Sequence, residues 1–191
     1  MTNILITGGA RSGKSRHAQE LALKSGESVL FVATATAGDE EMQRRIEEHR
    51  KTRPASWSTL EVSTHIGSRI SQEIGTAQVV IVDCIALLVS NILGQYIDPS
   101  REQIDAPLIE KEVTGEISEL AECIDQVNAS FIIVTNEVGM GLVPANQMSR
   151  LYRDLLGEAN QRLAQQSDEV YLMVAGLPLR LKPDKDFSDS D

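Results

Sequence analysis

Long apolar runs, a basic surplus and patterned cysteines are all missing from this chain of 191 residues. No apolar run approaches the roughly 18–20 residues needed to span a bilayer, so no membrane span is expected. The N-terminus carries no basic segment, apolar h-region and cleavage site, and a cytoplasmic location is the expectation. The two cysteines, Cys84 and Cys123, have no metal-ligand spacing and sit in apolar patterns, which predicts buried thiols. Lys and Arg number 18 against 28 Asp and Glu, a net charge of −10. A general nucleic-acid or anionic-membrane binder needs a basic face, and aromatic residues interleaved with basic ones are lacking too, so no nucleic-acid partner is expected. No repeat or low-complexity linker divides the chain, whose length suits one domain with a sizeable core.

What is present begins at once. Gly8-Gly9-Ala10-Arg11-Ser12-Gly13-Lys14-Ser15 fits G-x-x-x-x-G-K-[ST] in full, after the apolar Ile4-Leu5-Ile6 and before a helical pattern. In that setting glycines let successive N–H groups turn around a phosphate, Lys14 reaches the β and γ phosphates, and the Ser15 hydroxyl binds Mg²⁺. The helix that follows adds its positive end to the same anion. A second chemical signal is Val79-Val80-Ile81-Val82 running into Asp83, an apolar strand whose terminal carboxylate suits Mg²⁺.

Apolar runs alternate with helical patterns along the whole chain. That predicts an α/β three-layer sandwich with a mainly parallel central sheet and helices on both faces, of the P-loop NTPase (RecA-like) kind. Strands are expected at Asn3–Thr7, Val29–Ala33, Thr59–Val62, Val79–Val82, Phe131–Val134 and Val170–Ala175, with Leu177–Lys182 returning as an antiparallel C-terminal edge. Helices are expected at about Lys14–Leu23, Asp39–His49, Ile66–Ile74, Ala86–Leu93, Leu108–Val127 and Gln147–Ala164. Gln95 to Pro107 reads as a loop, either a cover for a site or a connection. Residues 1–182 form one catalytic domain on this reading, and the acidic tail 183–191 lacks a core-forming pattern and is expected to be disordered.

Several stretches sit where open α/β sheets place ligands, past the carboxyl ends of strands. Thr34-Ala35-Thr36 either approaches a nucleotide or only begins the next helix. Thr135-Asn136-Glu137-Val138-Gly139-Met140-Gly141 holds more loop chemistry than packing requires, and a functional role is preferred to a plain turn. Met42, Ile46 and His49 follow i, i+4, i+7, so His49 is expected on the apolar side of its helix. Arg50, Lys51 and Arg53 follow it, a basic knot in an acidic protein, before Pro54 stops the helix and Trp57 supplies the one indole. This knot reads as an anion clamp. His17 and His65 read as packing, capping or surface residues. His49 has a plain reading as well, since a histidine in a helix's last turn suits the dipole. Beside the knot, its neutral imidazole is a candidate nucleophile.

Together these segments resemble a known family. The glycine loop, Ala33-Thr34-Ala35, Glu41-Met42 with Arg45-Ile46 and His49-Arg50, Arg53-Pro54 with Trp57, and Thr135 to Gly141 with Val143-Pro144 are similar to the bifunctional adenosylcobinamide kinase/adenosylcobinamide-phosphate guanylyltransferases. Asn160-Gln161-Arg162-Leu163-Ala164 and Asp168-Glu169-Val170 extend the likeness, which spans about residues 3 to 176. The resemblance implies phosphorylation of adenosylcobinamide by ATP or GTP with Mg²⁺, then transfer of GMP from GTP to adenosylcobinamide phosphate through a GMP-histidine, within a homo-oligomer, a trimer. It places the guanylylated histidine on His49, which Glu48 precedes where some members carry a second histidine. Nucleotide contacts are implied at Gly8, Gly9, Ala10, Arg11, Ser12, Gly13, Lys14, Ser15, Thr34, Ala35, Thr36, Arg50, Lys51, Thr52, Arg53, Glu61 and Asp83. Asp83, a Glu in some relatives, is either a metal ligand with Ser15 or a guanosine contact. Two rivals stand beside this reading: a P-loop small-molecule kinase that forms no covalent adduct, and a RecA-like ATPase motor module.

Overall fold

The computed structural model describes residues 1–36, 40–51, 53–96 and 104–182, the side chains of Glu41, Met42, Arg45 and His49 excepted. Its strands are β1 (Ile4–Gly8), β2 (Val29–Ala33), β3 (Ser58–Glu61), β4 (Val79–Asp83), β5 (Ser130–Val134), β6 (Glu169–Val174) and β7 (Leu177–Lys182). They form one sheet in the order β3-β2-β4-β5-β1-β6-β7. Every pairing is parallel except that of β6 with β7, as the sequence pattern led us to expect. The central strands are continuous apolar runs because helices cover both faces, and Ile6, Phe31, Ile81 and Ile133 are almost wholly buried.

The helices are α1 (Lys14–Ser25), α2 (Glu40–Lys51), α3 (Ile66–Glu73), α4 (Ile85–Gln95), α5 (Ala106–Gln126) and α6 (Gln147–Gln166). Crossovers from β1 to β2 and from β2 to β3 run toward one edge, and all later parallel crossovers run the other way. Right-handed connections therefore put α1 and α2 on one face and α3 to α6 on the other. The packing agrees: α1 lies on β1, β4 and β5 through small residues such as Ala18 and Ala22, while α5 touches α3, α4 and α6. The apolar stripe of α5 is core as expected, with Val113, Ile117, Leu120 and Ile124 buried. Cys84 and Cys123 are buried free thiols.

The ends of elements differ from the expectation in instructive places. Gln95 closes α4, and Ala106 and Pro107 open α5, so the expected loop from Gln95 to Pro107 is shorter at both ends. Proline suits a first helical turn, where its missing N–H costs nothing, and the Asp105 side chain caps the helix by accepting from Leu108 N at 3.2 Å. Residues 97–103 of that loop, Asp39 at the expected start of α2, and the tail 183–191 lie outside the described residues. His17 is a packing residue, its ring edge-on to Tyr171 at 5.6 Å, and His65 stands exposed at the start of α3. No helix among the described residues is long and apolar enough to cross a membrane.

The start of α3 depends on another helix. No side chain of its own caps it; instead the buried Glu116 of α5 accepts from His65 N and Ile66 N, each at 2.8 Å. Gly67 permits the approach, because a Cβ there would stand 2.4 Å from the Glu119 carbonyl oxygen. Glu116→Ala leaves two N–H groups orphaned, and we expect denaturant unfolding to show a loss of about 2–3 kcal/mol. Glu116→Gln, which keeps an acceptor, should lose less; equal losses would show that the two bonds are not what the carboxylate contributes.

Candidate functional site

All the parallel strands from β3 to β1 end at one open cavity of about 890 Å³. Its floor is the glycine loop between β1 and α1. Gly8 (φ +146°) has no room for a Cβ, which would meet the Met173 carbonyl oxygen at 2.5 Å, and Gly13 (φ +96°) turns the chain into α1. The turn between β6 and β7 clasps the loop from behind, Gly176 N donating to Ser12 O at 3.0 Å. Lys14 is buried inside the loop and donates from Nζ to the carbonyls of Gly8 and Gly9, at 2.9 and 2.6 Å. Burial lowers its pKa, with Cys84 and Asp83 pulling the other way. No side chain caps α1, so its first N–H groups face the cavity region, and the buried Ser12 hydroxyl has no partner among the described residues. Such a loop is built to receive an anion.

The opposite wall comes from α2 and the segment after it. Gln43, Ile46, Glu47 and Arg50 line the cavity at i, i+3, i+4, i+7. Arg50 Nε donates to Glu61 Oε1 at the end of β3 at 3.0 Å, and this pair holds the Arg50 pKa above its ordinary value. Both side chains are about half exposed, so the bridge itself adds little stability. Arg53 lies with its guanidinium carbon 3.8 Å above the Phe31 ring, which stacks on Trp57 at 6.5 Å. Burial lowers its pKa while Asp83 and Glu61 oppose the shift, and its buried Nε has no partner among the described residues. The aromatic pair thus holds a desolvated cation over the cavity.

The cavity brings together Ala10, Arg11, Ser12, Gly13, Lys14, Ser15, Ala35, Arg50, Arg53, Glu61 and Asp83 from the sequence-derived set. Gly8 and Gly9 enter through their carbonyls. Thr34 does not join them: its buried hydroxyl donates to Cys84 O at 2.7 Å and accepts from Cys84 N at 2.8 Å, tying β2 to β4. Thr36 instead donates to Asn91 Oδ1, and Lys51 is exposed away from the cavity, one residue round the helix from Arg50. Thr52 and the His49 side chain lie outside the described residues; the His49 backbone is in the last turn of α2, next to Arg50. Ser15 and Asp83 line the same cavity, and a hydroxyl with a carboxylate is the hard-oxygen chemistry that Mg²⁺ takes together with phosphate and water. Cys84, pushed up to about 12 by burial, stays a neutral thiol. Phe31 and Asn91 escaped the sequence reading. Phe31 sits in an unbroken apolar strand, and only the strand order shows that its ring supports Arg53.

A glycine loop clasping a lysine, two arginines facing it and an acidic strand end between them define a three-layer α/β protein with an anion-binding cleft at the carboxyl edge of its sheet. The chain belongs to the cobinamide kinase/cobinamide phosphate guanyltransferase family, whose model matches residues 4–181. Among curated proteins it is similar to the bifunctional adenosylcobalamin biosynthesis protein CobU of Salmonella typhimurium, 42% identical over 94% of this chain and 99% of that one. CobU of Escherichia coli is 41% identical over 94% and 99%, and CobP of Pseudomonas aeruginosa 43% over 93% and 96%.

Thr34 separates the two readings of its segment. Thr34→Val should cost about 1–3 kcal/mol in denaturant unfolding, as two buried bonds are lost, and leave GTP affinity unchanged in equilibrium binding. Weakened GTP binding with unchanged stability would place Thr34 in the site after all.

Proposed function

We propose that this one cavity at the carboxyl ends of the strands serves two successive reactions on one corrinoid substrate. The chain is a bifunctional kinase and guanylyltransferase acting on adenosylcobinamide in cobalamin biosynthesis, as its family membership over residues 4–181 indicates. The observation that carries the mechanism is the meeting of the Lys14 loop with Arg50 and Arg53 across one cleft.

In the first reaction the hydroxyl oxygen of the aminopropanol arm attacks the γ-phosphorus of ATP or GTP. The bond to the β-bridging oxygen breaks, the diphosphate leaves with the electron pair, and the hydroxyl proton is lost. This transfer needs positioning and charge neutralisation above all. Lys14 exchanges its carbonyl partners for phosphate oxygens, the N-terminal end of α1 receives the same anion, and Ser15 with Asp83 would hold Mg²⁺, which supplies further neutralisation. In the second reaction an imidazole nitrogen of His49 attacks the α-phosphorus of GTP, and pyrophosphate leaves. A phosphate oxygen of adenosylcobinamide phosphate then attacks the same phosphorus, the N–P bond breaks, and adenosyl-GDP-cobinamide forms. Arg50 and Arg53 flank that chemistry as the triphosphate clamp, with Glu61 releasing Arg50 to the ligand.

The same features support the remaining assignments. Lysine within the loop that joins β1 to α1 favours the P-loop NTPase fold of RecA-like kind, as one catalytic domain over residues 1–182. Met140, Leu142 and Val143, with the apolar positions of β7, are exposed and support self-association, a trimer as the resemblance implies. A cytoplasmic enzyme consuming ATP and GTP fits this chemistry.

The decisive assay is incubation with Mg²⁺ and GTP labelled at the α-phosphate, followed by denaturation. Label retained on the protein, lost in acid and stable in alkali, is expected for wild type and absent from His49→Ala, which keeps its kinase activity. Lys14→Ala should lose at least 100-fold, as an order of magnitude, in both steps, because both use the same triphosphate site. An adduct that persists in His49→Ala removes the nucleophile assignment, and a folded, GTP-binding wild type without adduct leaves a kinase alone.

A further inference from the structure

Among the polar residues of the cavity that those two reactions leave without a task is Asn136. Asn136 is the second residue beyond β5, and β5 lies between β4 and β1, so Asn136 emerges between Asp83 and the glycine loop. Asn136 lines the cavity, and among the described residues its carboxamide has no hydrogen-bond partner. Its backbone, by contrast, is held from several sides. Asn160 of α6 donates from Nδ2 to the Asn136 carbonyl at 3.0 Å, and the Thr135 hydroxyl donates to Asn160 Oδ1 at 2.6 Å. Thr135 N donates to Ile6 O at 2.9 Å. Glu137 N donates at 3.0 Å to Gly8 O, the oxygen that also receives the Lys14 ammonium. Asn136 is thus registered against the strand and loop that carry Lys14, with its own side chain left over.

A neutral carboxamide at this point has a definite chemical use. It donates to a phosphoryl oxygen through Nδ2 and adds no charge that would repel one. A donor fixed in advance where negative charge is carried through a transfer costs no reorganisation during the step. We infer that Asn136 is a catalytic residue of the phosphoryl-transfer step, bonding an oxygen of the terminal phosphoryl group, and that Asn160 is its positioning residue. Asn136 neither gains nor loses a proton; the bonds made and broken are those of the kinase reaction above. Attack on the α-phosphorus makes no such demand, because there the terminal phosphate departs within pyrophosphate. The inference rests on the two-step reading and assigns this residue to one step of it.

The test measures the two steps separately in the full chain. Transfer of γ-labelled phosphate to adenosylcobinamide reports the first, and adduct formation with α-labelled GTP reports the second. For Asn136→Ala, kcat for phosphorylation should fall about 10- to 100-fold, with KM for the nucleotide and the adduct rate each within about threefold of wild type. Asn136→Asp should fall further, since a carboxylate replaces the donor. Asn160→Ala should show a smaller fall with the same kcat-against-KM split, and no added loss in the double variant. Asn160→Asp keeps the acceptor for Thr135 but loses the donor to the Asn136 carbonyl, so it should resemble Asn160→Ala. Unchanged phosphorylation in the Asn136 variants overturns the inference, as does an equal loss in both steps at unchanged thermal stability. Asn136→Ser supplies the reading for any variant that fails to fold. A wild-type chain that forms the adduct yet phosphorylates nothing brings down the two-step reading with it, whereas failure in the Asn136 variants removes this inference alone.

Discussion

The carbonyl oxygen of Gly8 is the point on which the site depends. It accepts the Lys14 ammonium from within its own loop and the Glu137 N–H from the neighbouring strand's extension. No larger residue fits there, because the Met173 carbonyl of β6 already occupies the space a Cβ would need. Three adjacent strands, β5, β1 and β6, thereby fix one peptide. A lysine desolvated in that setting has little conformational freedom left to lose when phosphate replaces its carbonyl partners, which is the economy of a preorganised anion site.

The opposite wall works by a different physics. Arg50 is half exposed and paired with Glu61, an arrangement that water screens and a triphosphate can displace. Arg53 is partly desolvated over an aromatic pair, where the ring face holds the cation and the charges of Asp83 and Glu61 add to it. One arginine is therefore exchangeable and the other fixed. Within a chain of net charge −10, Arg11, Lys14, Arg16, Arg50 and Arg53 gather at one cleft beside Glu47, Glu48, Glu61 and Asp83, so the local balance there is not acidic.

Most of the fold was legible because the chain repeats one local grammar, an apolar strand followed by a periodic helix. Where the structure departs from the expectation, the causes are local. Pro107 was taken for a loop residue, although a proline in a helix's first turn is equally at home. Thr34 and Thr36 follow a strand end as binding residues do, but the Thr34 hydroxyl is consumed by the Cys84 backbone, a contact 50 residues distant in sequence. Lys51 belonged to the basic knot by position alone. Arg50 and Arg53 reach the cavity, and Lys51, about 100° round the helix from Arg50, does not.

The sequence by itself determined the class of fold, the glycine loop with its lysine and serine, the acidic end of β4 and the family, since each is written in contiguous residues or short spacings. Tertiary structure alone decided which charges meet, that Phe31 carries Arg53, that α5 supplies the cap of α3, and that Asn136 falls between Asp83 and Lys14. The reason is the sheet order β3-β2-β4-β5-β1-β6-β7: neighbours across a sheet follow strand order, not chain order, so these juxtapositions have no local signature to read.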